Sequence, residues 1–150
     1  MLIYQCADCR VIQPPTDSYP ERCTSCGGHA YPTEASLQAQ ATLIAEQNDR
    51  FRKSFGSSPT VPGRVVATSG VTAKGADFLL LAMVKIIQFD TFTTDNDPHG
   101  WHDFGALNVE GVRLYWKIDL MDEAFEYGSD RPEDPTRTRR LLTILLPDEW

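Results

Sequence analysis

Residues 104–120 run FGALNVEGVRLYWKIDL, and this stretch decides the fold class. Glu110-Gly111 divides it into two runs joined by a two-residue turn, the pattern of a tight β-hairpin. In the second run Val112, Leu114, Trp116, Ile118 and Leu120 alternate with Arg113, Tyr115, Lys117 and Asp119. A period of two places the first set on one face of a sheet and the second on the other. The chain therefore holds a sheet with one face to bury, and other elements must cover that face.

Downstream, Asp122 to Pro135 is a loop rich in proline and acids, and Arg139 to Leu146 is a last strand. That strand is apolar on both faces, which suits a central position. Upstream, Arg64 to Thr68 reads as a short strand after a Pro/Gly/Ser loop at 57–63. Lys74 to Gln88 reads as a helix that is apolar almost all round, from Phe78 through Ile87, so it is expected to be covered on both sides. An earlier helix runs from Thr33 to Phe55, with Pro32 before it, Thr33 as its cap and Gly56 at its end. Leu37, Ala41, Ile44, Asn48, Phe51 and Phe55 form its seam, while the Ala/Gln-rich half from Ala35 to Ala41 has little to bury. These elements predict an α+β domain with a small antiparallel sheet packed against two helices, in the order ribbon–α–β–α–β–β–β.

The ribbon is the first thirty residues. All four cysteines lie there, as Cys6-Ala-Asp-Cys9 and Cys23-Thr-Ser-Cys26-Gly-Gly. Each CxxC brings two thiolates to one ion from a single turn, and four complete a tetrahedral shell for one structural zinc ion. Glycines 27 and 28 suit a backbone that must turn its amides toward sulfur. Two disulfides would need an oxidising compartment, and a redox CxxC is usually single and opens a helix. The spacing resembles the zinc-ribbon, or rubredoxin-like, family of knuckles. With sulfur at every position the metal has no open site, so the ion is expected to be structural rather than catalytic. The predicted organisation is a zinc ribbon over 1–32, a connecting helix over 33–56 and an α+β domain over 57–150.

Charge narrows the partners. The net charge is −7, but residues 86–134 carry twelve acids against Arg113, Lys117 and Arg131, or −9, which leaves +2 for the rest. The ribbon offers only Arg10 and Arg22 against Asp8, Asp17 and Glu21. A phosphate-binding stripe needs clustered Lys and Arg, so direct nucleic-acid binding is not expected. A protein partner with a basic surface is. The longest strongly apolar stretch, Phe78 to Val84, falls far short of the roughly 20 residues a membrane span needs. The first residues lack a basic leader and an apolar run, which makes a cytoplasmic location the default.

The acidic third opens on TDNDPHGWHDFG, residues 94–105. Asp95, Asp97, His99 and Gly100 fit positions one, three, five and six of an EF-hand loop, but position twelve is Ala106 where a bidentate Glu is required. Pro98 and Gly100 exclude a helical metal motif. Three readings stay open. Asp95, Asp97, His99, His102 and Asp103 could hold a second ion for a hydrolase or nuclease, joined by Asp119, Tyr127 or Ser129. The same residues, with Trp101, could form a protein-binding surface. Or Asp95 and Asn96 make Asx turns while Trp101 with Phe104 anchors a structural loop to the core.

The segments IAEQNDRFR, GRVVATSGV, FDTFTTDNDPHGWHDFG, LYWKIDLMDEAFEYGSDRPEDP and RRLLTILLPDEW together resemble a family of small bacterial proteins classed only as a domain of unknown function. The likeness runs from about Leu43 to Trp150. It implies an accessory role on alphaproteobacterial plasmids and other mobile elements, where such genes often antagonise host defences, and it implies no reaction. The expectation is thus a non-enzymatic binding or regulatory protein with an acidic face and a structural zinc ribbon. A metal-dependent hydrolase centred on the loop and a nucleic-acid-binding ribbon regulator are the alternatives.

Overall fold

The computed structural model of the protein describes residues 2–15 and 20–150; Asp17, counted above among the ribbon's acids, lies outside them. The chain divides into two compact units, Met1–Thr42 and Leu43–Trp150, and the division falls inside one long helix.

In the first unit β1 (Tyr4–Cys6) and β2 (Ala30–Pro32) pair antiparallel, with Gln5 opposite Tyr31. Helix α1 (Glu34–Lys53) begins as expected, because Thr33 Oγ1 accepts the Ser36 amide at 3.3 Å. The Thr33 amide and the Ser36 hydroxyl both donate to the Ile3 carbonyl, at 2.7 and 3.2 Å, which ties the helix start to the ribbon. Leu37 is exposed, so the first half of α1 does bury little. From Ile44 onward the expected seam holds, with Ile44, Asn48 and Phe51 buried and Phe55 against the core.

The second unit is a four-stranded sheet in the order β3 (Gly63–Ala67), β6 (Arg139–Leu145), β5 (Val112–Met121), β4 (Phe104–Val109). Two helices, α2 (Ser69–Thr72) and α3 (Ala76–Ile87), link β3 to β4, and a 3-10 turn at Pro147–Glu149 ends the chain. The hairpin forms where the alternation placed it. Val109 faces Val112 across Glu110 and Gly111, whose φ angles of 51° and 80° match the primed turns that suit a twisted hairpin. The last strand is central. The fold class is α+β, but the sheet is mixed rather than wholly antiparallel, since β3 runs parallel to β6 with Val65 opposite Leu142. Alternation of side chains carries no information about strand direction. Direction is set by the connection, and here the chain passes through α2, α3 and the hairpin before returning beside β3, as a parallel neighbour requires.

Val65, Ala67, Leu114, Trp116, Ile118, Leu142 and Ile144 share one core cluster with Phe51 of α1 and Phe78, Ala82 and Ile86 of α3. Both helices therefore cover the same sheet face. The expectation that the apolar helix would be covered on both sides fails: Leu80 is 58% exposed, and Leu81 and Val84 are 41% exposed. The buried side of α3 is Phe78, Ala82 and Ile86, which face the core.

Candidate metal centre and acidic loop

The two cysteine knuckles are built alike. Arg10 N–H donates to Cys6 O at 3.1 Å and Gly27 N–H to Cys23 O at 3.0 Å. The residue after each second cysteine is left-handed, Arg10 at φ 63° and Gly27 at φ 75°. That reversal closes each turn and points its amides at sulfur. Cys6 Sγ accepts from Asp8 N–H (3.4 Å) and Cys9 N–H (3.5 Å), Cys23 Sγ from Ser25 N–H (3.3 Å), and Cys26 Sγ from Gly28 N–H (3.4 Å). The four Sγ atoms lie within 4.8 Å of one another, with 3.5 Å between Cys6 and Cys26 and 3.6 Å between Cys9 and Cys23. A tetrahedral ion with metal–sulfur bonds of about 2.3 Å needs edges of about 3.8 Å, so the donor set fits such an ion without rearrangement. These four cysteines can hold a metal ion, and they are the group of three or more possible ligands that converges among the described residues.

The backbone also tunes the sulfurs. Amides of Cys26 and Ser25, with the Gln13 side chain, pull the Cys23 thiol down to about 6. At Cys9 the Val11 amide lowers the pKa, but burial and the facing sulfurs of Cys23, Cys26 and Cys6 outweigh it and push the thiol up to about 12. Cys6 is lowered, chiefly by the Cys9 amide. Any of these thiols that still holds its proton must release it when an ion enters, which makes metal binding weaken as pH falls. Gln13, which carried no sequence signal, is buried beside this centre. Its Nε2 donates to Cys23 Sγ at 3.3 Å while its Oε1 accepts the Thr24 amide at 2.9 Å, the kind of outer contact that holds a ligand in place.

The acidic loop is organised on different lines. Asp97, 8% exposed, turns inward: its Oδ1 accepts the amides of Trp101 and His102, each at 3.1 Å. Asn96 Oδ1 accepts the Thr93 amide at 2.8 Å and its Nδ2 donates to Thr91 O at 2.9 Å. The Asx bonds thus come from Asn96 and Asp97 rather than from Asp95, which is exposed and makes no side-chain bond among the described residues. His102 sits at φ 53° and stacks face to face on Phe92, with centroids 4.0 Å apart. Its Nδ1 lies 3.0 Å from both oxygens of Asp49, and its Nε2 lies 3.7 Å from Asp97 Oδ2. Each ring nitrogen faces its own carboxylate, so neither points toward a common ion. His99 is exposed against Trp101, at 5.9 Å between centroids. Burial raises the Asp103 pKa, and the nearby charges of Asp97 and Asp119 add to the effect.

Helix α1 holds the loop in place. Buried Asn48 donates from Nδ2 to Trp101 O at 2.8 Å and accepts from Arg140 Nε at 2.6 Å. Arg140 Nη2 reaches Gln47 Oε1 at 2.9 Å, and burial lowers the Arg140 pKa to about 10. Arg52, one turn on, donates to the Ile86 and Ile87 carbonyls at the end of α3, at 2.7 and 3.1 Å, and to Asp49 at 3.1 Å. Its guanidinium also faces Trp116 and Phe92, at 5.4 and 5.6 Å. The Trp116 ring lies directly over Gly105, where a Cβ would collide with the indole. The expected core anchor of Trp101 with Phe104 is corrected here: Phe104 packs on the opposite sheet face, edge-on to Tyr115 and Trp150. Phe89 and Phe92 do the anchoring, edge-on to Trp116.

The other candidates stand apart from this network. Asp119 pairs with Lys117 at 3.1 Å, and Tyr127 is 73% exposed. Ser129 Oγ bonds Thr138 Oγ1 at 2.7 Å and accepts the Arg131 amide at 3.1 Å, a turn-closing arrangement. Sequence reasoning missed Gln47, Asp49, Arg52 and Arg140, which match no motif. Asn48, a polar residue on an apolar seam, was the available signal.

A closed four-sulfur knuckle followed by a two-layer α+β domain with a self-bonded acidic loop defines the class of protein. Residues 67–149 match the family described as Protein of unknown function (DUF3768); this is more than half of the chain, which belongs to that family. No curated protein and no solved structure matches it. The matched span holds Trp101, His102 and Arg140, while their helix partners Asn48 and Asp49 precede it. Among the described residues no helix is long and apolar enough to cross a membrane.

Proposed function

We propose that this is a non-enzymatic binding protein: one zinc ion holds its ribbon, and its acidic third is a prearranged recognition surface for a basic protein. The observation that carries this reading is the inward turn of Asp97 onto the Trp101 and His102 amides, with the Trp101 carbonyl fixed by Asn48. Those groups are consumed in holding shape, while Asp90, Asp95, Glu110, Glu123, Glu126 and Asp130 stay exposed. A depression of about 330 Å³ lined by Asp122, Glu123, Asp130, Arg131 and Arg137 sets three carboxylates against two guanidinium groups and offers a seat for a cationic side chain. An accessory role on a mobile element, against a host protein that itself binds nucleic acid through a basic face, is consistent with this charge.

Zinc is favoured over iron in the ribbon because Cys9 and Cys26 are exposed, and zinc has no redox chemistry for solvent to exploit. Elemental analysis should give one zinc per chain, lost when the four cysteines become serine. A second ion surviving that change would point instead to the loop as a metal site. For the surface, neutralising Asp95, Glu123, Glu126 and Asp130 together should abolish capture of a basic host protein that the unaltered chain retains at low salt. Capture that persists in about 0.5 M salt would reject an electrostatic surface.

A further inference from the structure

We propose that the free edge of β3 and the groove beside α3 receive an extended segment of a partner protein, added as a fifth strand. The acidic third meets this surface where Phe125 stacks on Arg64. β3 is an edge strand, and its hydrogen-bond parity fixes which groups are open. Pro62 O accepts from Arg140 N–H and Thr68 N–H donates to Ile144 O, both at the β6 side. With a period of two, Arg64 and Val66 also bond toward β6, so the N–H and C=O groups of Val65 and Ala67 point outward. Beside them runs an apolar groove of about 340 Å³, lined by Leu79, Leu80 and Met83 of α3 and by Phe55. Leu80 and Val66, one on each side of the open edge, are 58% and 42% exposed.

The other edge of the same sheet is guarded. Lys85 Nζ donates to the Asn108 carbonyl of β4 at 2.8 Å, a charged side chain laid on an edge strand as proteins commonly do to prevent pairing. Among the described residues no charged side chain donates a hydrogen bond to the backbone of Val65 or Ala67 in β3. Its one cation, Arg64, is exposed on the face away from α3, stacked on Phe125 at 4.2 Å without a carboxylate partner among the described residues. That leaves a specific vacancy. A strand laid along β3 meets apolar surface on its α3 side and an unpaired guanidinium on the other, so the segment that fits carries aliphatic side chains at alternate positions and a carboxylate opposite Arg64. Of the large aliphatic side chains that line the groove, Leu80 and Val66 are the exposed ones, a small apolar area. That is short of the roughly 800 Å² per partner a stable protein dimer buries, so a single strand fits better than a second copy.

The probe is a synthetic peptide of alternating valine and threonine with one central glutamate, titrated into the full-length protein. Before addition the amides of Val65 and Ala67 should exchange with solvent quickly and that of Val66 slowly. At saturation Val65 and Ala67 should become protected. Leu80→Asp, at an exposed position that leaves the core intact, should weaken binding more than about tenfold. Arg64→Glu should weaken it roughly fivefold and regain it with a peptide carrying lysine in place of glutamate. No binding up to millimolar peptide, binding that leaves Val65 and Ala67 unprotected, or binding indifferent to Leu80→Asp would each overturn the proposal. A concentration-dependent dimer that Leu80→Asp dissolves would overturn it too, by making the occupant a second copy.

Discussion

The four-cysteine unit and the acidic loop both gather polar groups around a tight turn, yet they use their backbone amides in opposite ways. In the ribbon the amides of Asp8, Cys9, Ser25 and Gly28 point at sulfur, so the turns concentrate negative charge on one point that only a cation can satisfy. In the loop the amides of Trp101 and His102 point at Asp97, so the turn satisfies that carboxylate with its own donors and needs no ligand for it. One arrangement is incomplete without a ligand, and the other is complete without one. The first unit should therefore depend on metal for its fold, and the second on contacts with distant parts of the chain.

Removing the metal tests that contrast most severely. Chelation, or Cys→Ser at all four positions, should abolish the ordered structure of the first unit, because so short a segment buries too little to fold alone. The thermal transition of the second unit should not move, since its core cluster contains no residue before Phe51. Calorimetry and amide spectra of the full chain with and without chelator would show this. A single transition lost as a whole would mean that the two regions are one folding unit.

The next largest effect should come from Asn48. Replacing it with leucine strips a hydrogen bond from the buried guanidinium of Arg140 and from the Trp101 carbonyl, and losing a hydrogen bond to a buried charged group typically costs about 1.5–3 kcal/mol. Denaturant unfolding of Asn48→Leu should report a loss of that order, and Arg140→Leu added to it should restore part of the stability, since the stranded charge is then gone. Strict additivity of the two changes would show that they are not coupled.

That network also explains what was legible in the sequence. The hairpin, the central last strand, the helix cap at Thr33 and the cysteine knuckles all follow from local spacing, and each is present. The direction of β3, the exposed side of α3 and the helix residues that hold the loop do not. They depend on which elements meet, and nothing in Gln47 or Asp49 distinguishes a surface residue from one that reaches a distant part of the chain. Two residues did carry a trace. Asn48 sits on the seam between Ile44 and Phe51, and alternation places Arg140 on the same face as Leu142 and Ile144. A polar residue in an apolar row needs a buried partner, and here the two are each other's partner.

His102 offers a finer probe of the self-sufficient loop. His102→Ala removes the stack on Phe92 and both carboxylate contacts, and it places a Cβ residue at φ 53°. His102→Gly removes the same contacts but tolerates that backbone, so it should be more stable than the alanine variant by about 1 kcal/mol. Equal stability would mean that the loop relaxes out of the left-handed conformation once the ring is gone.

The smallest expected effect concerns charge that the loop has not neutralised. Burial raises the Asp103 pKa, so the folded state holds its proton to higher pH than the unfolded chain does. Stability from this residue is then greatest below the unfolded carboxylate value and falls as pH rises toward the raised one. At neutral pH the folded protein carries a partly desolvated charge that Asp103→Asn removes. The variant should melt slightly higher than the parent at pH 7, by no more than about 1 kcal/mol given the remaining exposure, and the gain should vanish in acid. A variant less stable at pH 7 would mean that the hydrogen bond made by the carboxylate outweighs its desolvation.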